Sequence, residues 1–348
     1  MINGVPRILI VRMSAIGDVV RVIPALYSLR HAFPHAQIDW AVESQAAEVL
    51  TGHPEIDRVL VFDRRKDRGM HSAGNFMAFC KEVRAAKYDI VLDFHGILKS
   101  GAIARYSGAK KRYGFASPRS REGSHLFTNQ KVNLGKDVLN RVEENLRLAD
   151  ALAPRTGSPD VTLYVPDDVK DDIEEFFEAS FDGNKLVAAL HVPVDRAEKQ
   201  WPLEHFAALS DMLQADGRFD VVLTWGPGQQ KAVEQVVRLT RRNPVVAPEL
   251  GDLKHYIWLI YCADLYFGCD TGPMHLATVM GTPVVAVFGG TDPVRHSPWR
   301  KPYAVLTAES CGETATGLTG AEKLARISPE AAYDACVRLA ARRISVAS

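Results

Sequence analysis

The stretch "GCDTGPMHLATVMGTPVVAVFGGTDP" (residues 268–293) carries several elements in one run. Taken with "DLYFGCD" (264–270), it reads strand, tight turn, helix, strand, loop. The flanking apolar runs are short and suit buried strands, and the segment between them suits a helix. Two strands joined through a helix lie parallel, and a parallel sheet is covered by helices on both faces. This one stretch therefore argues for the α/β class. It also carries a candidate ligand site. Thr271 can cap the helix, Gly272 lets backbone approach a ligand, and Pro273 suits the first turn. The N–H groups and positive dipole at such a helix start attract anions, and His275 in the first turn adds a donor. An ordinary capped helix, packed by Met274 and Leu276, explains the same residues equally well.

The same alternation continues outward in both directions. "RILIVR" (7–12), "QIDWAV" (37–42), "RVLVF" (58–62) and "DIVLDF" (89–93) read as strands, with helices over 19–32, 44–51 and 74–87. The pattern fades at "APRTGSPD" (153–160). It resumes with strands at 185–192, 219–225, 264–270 and 282–289, and helices at about 202–216, 227–240, 253–262 and 272–280. This predicts two doubly wound, Rossmann-like domains, 1–170 and 171–325, joined within 155–184. A closing segment, 326–348, carries a helix from Pro329 to about Arg343, for which the first domain is one packing surface. Ligands of such sheets bind at the carboxyl ends of the strands, so chemistry is sought just after each strand.

Composition narrows the class. The chain has 348 residues, 47% hydrophobic and 24% charged, which suits two globular domains. No apolar run reaches the roughly 18 residues of a membrane span, and no signal peptide is evident. Five cysteines without paired spacing fit a reducing cytoplasm, not a disulfide framework or a zinc site. A net charge of zero hides an asymmetry. Residues 1–150 carry 23 Lys+Arg against 16 Asp+Glu, and the remainder carries 19 against 26. The first half suits an anionic partner, or simply has more solvated basic side chains.

Four further stretches carry candidate chemistry. "MSAIGDVV" (13–20) follows the first strand with a single glycine and an acid, Asp18, which is either an N-cap or a general base. "AEKQWPLEHF" (197–206) presents Lys199 ahead of a helix whose start Trp201-Pro202 fixes; a solvated surface lysine is the plain alternative. "TWGPGQQ" (224–230) is another glycine turn after a strand, able to support a ribose or base. Lys99 to Arg121 holds seven Lys or Arg and no acid, and "RRKDR" (64–68) adds four more basic residues. Basic loops would suit carboxylates or phosphates of a large acceptor. No nucleic-acid module is recognisable, so nucleic acid is not the expected partner.

Together, "RMSAIGDVVRVIPAL" and "CDTGPMHLATVMGTPVVAVFGGTDP" resemble the bacterial heptosyltransferases that build the lipopolysaccharide inner core. "DFHGILKSG" (93–101), "KQWPLEHF" (199–206) and "RISPEAAYDACVRL" (326–339) extend the resemblance over nearly the whole chain. It implies the GT-B fold, two Rossmann-like domains facing across a cleft. It implies ADP-L-glycero-D-manno-heptose as donor and inversion at the anomeric centre. No clustered carboxylates suggest a metal and fixed cations can do its work, so no metal or other cofactor is expected. "DFHGILKS" and "SPRSRE" (117–122) look most like heptosyltransferase I, which acts on Kdo of Kdo2–lipid A; heptosyltransferase II is the close alternative. By this resemblance Asp18 is the base. Lys199, Gln230, Asp270, Thr271, Gly272, Pro273, Met274 and His275 line the donor site, and Arg64, Arg65, Lys99 and Arg121 face the acceptor. A cytoplasmic enzyme touching the inner face of the membrane is expected. The chain departs from the family pattern in "HVPVDRAEK", which lacks small hydroxyl residues, in Gln230, where a glutamate is usual, and in "TAESCGETATGLTG" (307–320). Two other classes use a similar frame: a sugar-nucleotide epimerase, which needs no basic acceptor surface, and a non-catalytic nucleotide-sugar binding protein, which gives Asp18 no chemical role.

Overall fold

The structure, a computed structural model, describes residues 5–63 and 72–347. The chain forms two compact units, Met1–Tyr164 and Val165–Ser348. The boundary falls ahead of the 170/171 division that the sequence suggests, because the helix Asp167–Ser180 belongs to the second unit.

The first unit runs β1 (Arg7–Val11), α1 (Ile16–Val20), α2 (Ile23–Ala32), β2 (Gln37–Glu43), α3 (Ser44–Ala47), β3 (Arg58–Phe62), α4 (Ser72–Ala85), β4 (Ile90–Asp93), α5 (Leu98–Tyr106), β5 (Lys111–Phe115), β6 (Gln130–Val132) and α6 (Arg141–Asp150). Its six strands lie in the order β3-β2-β1-β4-β5-β6, and each neighbouring pair is parallel. β1 is central: Ile8 pairs with Ile38 on one side and Ile90 on the other. Leu9, Ile10 and Val11 are fully buried on both faces, which explains why this strand is a continuous apolar run rather than an alternating one. Leu9, Val11, Leu60, Phe62, Phe79, Val83, Val91 and Ile103 fill the core on one face.

The second unit runs α7 (Asp167–Ser180), β7 (Leu186–His191), α8 (Leu203–Asp216), β8 (Phe219–Thr224), α9 (Gln230–Leu239), β9 (Val245–Val246), α10 (Leu253–Cys262), β10 (Leu265–Cys269), α11 (Gly272–Met280), β11 (Val284–Val287), α12 (Pro293–His296), β12 (Tyr303–Leu306), α13 (Gly320–Ala325) and α14 (Pro329–Ala347). The strand order is β12-β11-β10-β7-β8-β9, all parallel. Trp201 is fully buried, packs edge-on to Phe206, and donates its indole N–H to Ile327 O at 3.0 Å. That anchors the start of α8, as the Trp-Pro pair suggests.

Other features go beyond the sequence reading. α14 contributes to the core of the second unit: Ala332, Ala335, Cys336 and Leu339 join Trp201, Phe206 and Phe267. The apolar face of the helix finds its partner in the nearest sheet, and the Tyr333 hydroxyl donates to Asp216. The stretch read as a linker contains α7. Four strands went unread. β5 ("KRYGF") and β6 ("QKV") carry polar residues, β9 is two residues long, and β12 sits at a sheet edge.

Both sheets are doubly wound, so each has one place where connections depart in opposite directions. In the first unit it lies between β1 and β4, in the second between β7 and β10. Crevices at the carboxyl ends of such strand pairs are where ligands bind.

Candidate active-site residues at the strand ends of each unit

In the first unit, β1 leads into Arg12 and Met13, and β4 into Phe94 and His95. Asp18 follows in the first turn of α1. Ala15, not Asp18, occupies the position before that helix, so Asp18 is no N-cap. Its carboxylate lies between two guanidiniums: Arg12 Nη2 is 2.5 Å from Oδ2, and Arg21 Nη1 is 2.9 Å from Oδ1. Both arginines are buried, while the Asp18 side chain is 40% exposed. Burial pushes the Asp18 carboxyl pKa up, but Arg12 and Arg21 outweigh it and hold it below its usual 3.8. Asp18 is thus a fixed carboxylate facing solvent at the switch point. Arg12 is itself held by Phe94 O at 3.1 Å, and Arg21 O accepts from Asn145 Nδ2 at 3.0 Å.

The turn after β4 is equally fixed. Asp93 is buried, and its Oδ1 accepts from the backbone N–H groups of His95 and Gly96, each at 3.0 Å. Gly96 adopts φ +71°, which glycine reaches without strain. Its carbonyl accepts from Arg121 N–H at 2.7 Å. His95 Nδ1 accepts from Met13 N–H at 3.3 Å. Burial, then the Arg12 charge, push the His95 pKa down to about 3, so the ring is neutral at ordinary pH.

The basic run Lys99–Arg121 is not one loop. It spans α5 and β5, and the sheet separates its charges. Lys99 and the Arg119–Arg121 segment lie at the carboxyl ends of the strands. Arg105, Lys110 and Lys111 lie at the opposite end. Lys99 Nζ is 3.1 Å from Glu43 Oε1 and sits over the Phe62 ring. Arg119 pairs with buried Glu144 at 2.6 Å. Arg121 is exposed. Arg64 and Arg65 lie outside the described residues.

In the second unit, Asp270 follows β10 and is buried. Lys199 Nζ lies 2.7 Å from Asp270 Oδ2 and 3.1 Å from its backbone oxygen, so Lys199 is no free surface lysine. Thr291 Oγ1 donates to the same Oδ2 at 2.8 Å, and His275 Nε2 is 3.9 Å from Oδ1. Thr271 stands at the start of α11, but its hydroxyl donates to Cys269 O at 3.4 Å instead of capping the helix. Gly272 and Pro273 form the first turn; Met274 is buried beneath it. Gln230 is the first residue of α9 and is exposed, whereas Gln229 makes the local bonds, to Gly226 N–H and Asp195. A buried set sits under these groups: Tyr256 OH is 2.9 Å and Thr224 Oγ1 3.1 Å from His191 Nδ1, and burial pushes the His191 pKa down to about 3.

The structure therefore gathers Lys199, Asp270, Thr271 and His275 at one strand end of the second unit. It sets Asp18 among Arg12, Arg21 and His95 in the first. Reading the sequence missed Arg12, Arg21, His95 and Thr291. For Arg12 the signal was available: a charge directly after a buried strand demands a partner. It also missed Gly320, within the unfamiliar stretch 307–320. A Cβ there would lie 2.9 Å from Glu198 O, the residue before Lys199, so α13 and the Ala197–Lys199 turn touch backbone to backbone.

Among the described residues no helix is long and apolar enough to cross a membrane. Comparison with known proteins gives consistent results. Residues 76–323 match the model of glycosyltransferase family 9 (heptosyltransferase). Lipopolysaccharide heptosyltransferase 1 of Escherichia coli K12 is 30% identical over 298 residues, covering 82% of this chain and 89% of that protein. Among solved structures, E. coli heptosyltransferase WaaC with ADP superposes with a TM-score of 0.73 at 25% identity, covering 94% of this chain and 98% of the other. A family 9 glycosyltransferase from Veillonella parvula has a TM-score of 0.84 at 23% identity, covering 97% of each chain. The two parallel six-stranded sheets are those of the GT-B class. The chain belongs to glycosyltransferase family 9, the heptosyltransferases, and is a glycosyltransferase.

Proposed function

We propose that this enzyme transfers L-glycero-D-manno-heptose from ADP-heptose to Kdo of the lipopolysaccharide inner core, Kdo2–lipid A, with inversion and with Asp18 as general base. The observation that carries this reading is the state of Asp18: a solvent-facing carboxylate, kept ionised by Arg12 and Arg21, at the β1/β4 switch point. A Kdo hydroxyl oxygen bonds to the anomeric carbon as the bond from that carbon to the diphosphate breaks. ADP leaves with the electron pair, and the hydroxyl proton passes to Asp18. A depressed pKa makes Asp18 a weak base, which suffices because the hydroxyl becomes acidic only as its oxygen bonds to carbon.

The donor belongs to the second unit. Lys199, His275 and the start of α11 offer positive charge and N–H donors to the diphosphate, where negative charge grows in the transition state. Asp270 holds Lys199 and can accept from sugar hydroxyls. Gln230 and the turn before α9 are assigned to the nucleoside side of the donor. Lys99 and Arg121 are assigned to acceptor anions, together with Arg64 and Arg65. No metal is assigned a role. The acceptor is lipid-linked, so the proposal has the enzyme working in the cytoplasm at the inner face of the membrane. The test is to supply ADP-heptose with Kdo2–lipid A, and separately with the same acceptor already bearing its first heptose. ADP release and heptosylation of the first acceptor alone are expected. Activity on the second alone, or donor binding without turnover on either, would overturn the assignment.

A further inference from the structure

We propose that His95 is an acceptor-binding residue whose Nε2–H donates to an anionic oxygen of the acceptor sugar, next to the hydroxyl that Asp18 deprotonates. The inference rests on the assignment of the first unit to the acceptor, and deepens it by naming the group that holds the sugar.

Three observations carry it. The first is the tautomer. Met13 N–H points at Nδ1 at 3.3 Å, so Nδ1 is the acceptor and the proton of the neutral ring sits on Nε2. The same tautomer cannot serve as a base, which leaves that role to Asp18. The second is rigidity. The His95 backbone is fixed by Asp93 Oδ1, and the next residue, Gly96, is fixed by Arg121 N–H. A Cβ on Gly96 would lie 3.5 Å from Ser120 Cα and 3.8 Å from Arg119 Nη1, so the two loops lie in van der Waals contact. A donor held this way loses little entropy on binding. The third is position. Arg12 ties Asp18 to the residue before His95, with one guanidinium nitrogen on Phe94 O and another on Asp18. Nε2 has no hydrogen-bond partner within the described residues and is not among the enclosed polar atoms that lack one.

The charges around the ring choose the ligand. Arg12, Arg119 and Arg121 all act on His95, with Asp18 the opposing carboxylate. Arg12 is committed to Asp18 and Arg119 to Glu144. Arg121 is exposed beside the ring. A neutral N–H donor flanked by an exposed guanidinium matches a sugar-acid carboxylate. A neutral ring is also the useful state here: a second full charge beside Arg12 would weaken the clamp on Asp18.

The test compares His95→Gln, His95→Asn and His95→Phe in steady-state transfer from ADP-heptose to Kdo2–lipid A, with thermal melts alongside. The Gln amide can reach where Nε2–H lies. Asn keeps only an acceptor for Met13 N–H, and Phe keeps only the ring. A hydrogen bond to a charged group contributes enough that Asn and Phe should raise the acceptor KM about 10- to 100-fold. Their donor KM should stay within about twofold, and Gln should recover most of the loss. Wild-type acceptor KM in the Asn variant would overturn the inference, as would a Gln variant no better than Asn, even if Phe fails to fold. Wild-type enzyme inactive on this acceptor would instead overturn the functional assignment, and the inference with it.

Discussion

Gly289 and Gly320 provide a graded test of how the Lys199 turn is held. A Cβ on Gly320 would meet Glu198 O at 2.9 Å and Gly290 N at 3.1 Å, all backbone atoms that cannot rotate away. Reaching an ordinary contact of 3.4 Å takes a retreat of about 0.5 Å. A Cβ on Gly289 would lie 2.2 Å from Gly320 O and 2.8 Å from Leu324 Cγ, so the retreat is about 1.2 Å. Overpacking of this kind costs about 1–3 kcal/mol, with Gly320→Ala at the low end and Gly289→Ala at the high end. For a unit of this size each kcal/mol lowers Tm by about 2–4 °C. The displacement passes through Glu198 to Lys199, and a misplacement of about 1 Å costs on the order of 100-fold in catalysis. Donor kcat/KM should therefore fall several-fold in Gly320→Ala and about 100-fold in Gly289→Ala. ADP release gives the kinetics, and a thermal melt gives the stability. If Gly289→Ala loses stability but keeps wild-type donor kcat/KM, the glycine contacts do not hold Lys199 for the donor.

Three further outcomes follow from the same geometry. Lys199→Met leaves buried Asp270 without its cation and should cost about 2 kcal/mol, reduced from the fully buried case because Lys199 is 25% exposed. Adding Asp270→Asn should recover much of that stability but none of the donor affinity, as urea melts and ADP titration would show. His191 binds its proton near pH 6.5 when unfolded but only near pH 3 when folded, so the unfolded state holds the extra proton between those values. Stability should accordingly fall by about 1.4 kcal/mol per pH unit as pH drops through that window, and His191→Gln should remove this contribution in urea melts at pH 5 and 7. Asp18 has the same sign at lower pH: its lowered pKa adds stability above the unfolded value, lost as pH falls through the lower folded value. Asp18→Asn should flatten the acid side of the stability profile measured with buffers spanning pH 3 to 5, the range about the usual carboxylate pKa.

The layered fold was legible because parallel strands buried on both faces leave uninterrupted apolar runs, and β1, β4 and β10 are such runs. β5 and β6 were not legible, since "KRYGF" and "QKV" pair through backbone groups that no side-chain pattern reveals. The homes of Asp18, Lys199 and Asp270 were legible through their place after strands. The long-range partners were not, because Lys199–Asp270 and Met13–His95 join positions 71 and 82 residues apart with no shared motif. The packing of α14 was also beyond sequence, because its apolar face fits either unit until the core shows where space remains.

The assignment of Asp18 as base is tested most directly by Asp18→Asn in single-turnover transfer from ADP-heptose to Kdo2–lipid A, with ADP affinity measured in parallel. Asn keeps the shape and a hydrogen bond to Arg12 but cannot take the proton. The rate should fall by roughly two or more orders of magnitude with ADP affinity unchanged. Transfer within a few-fold of the wild-type rate by a folded Asp18→Asn enzyme would contradict it.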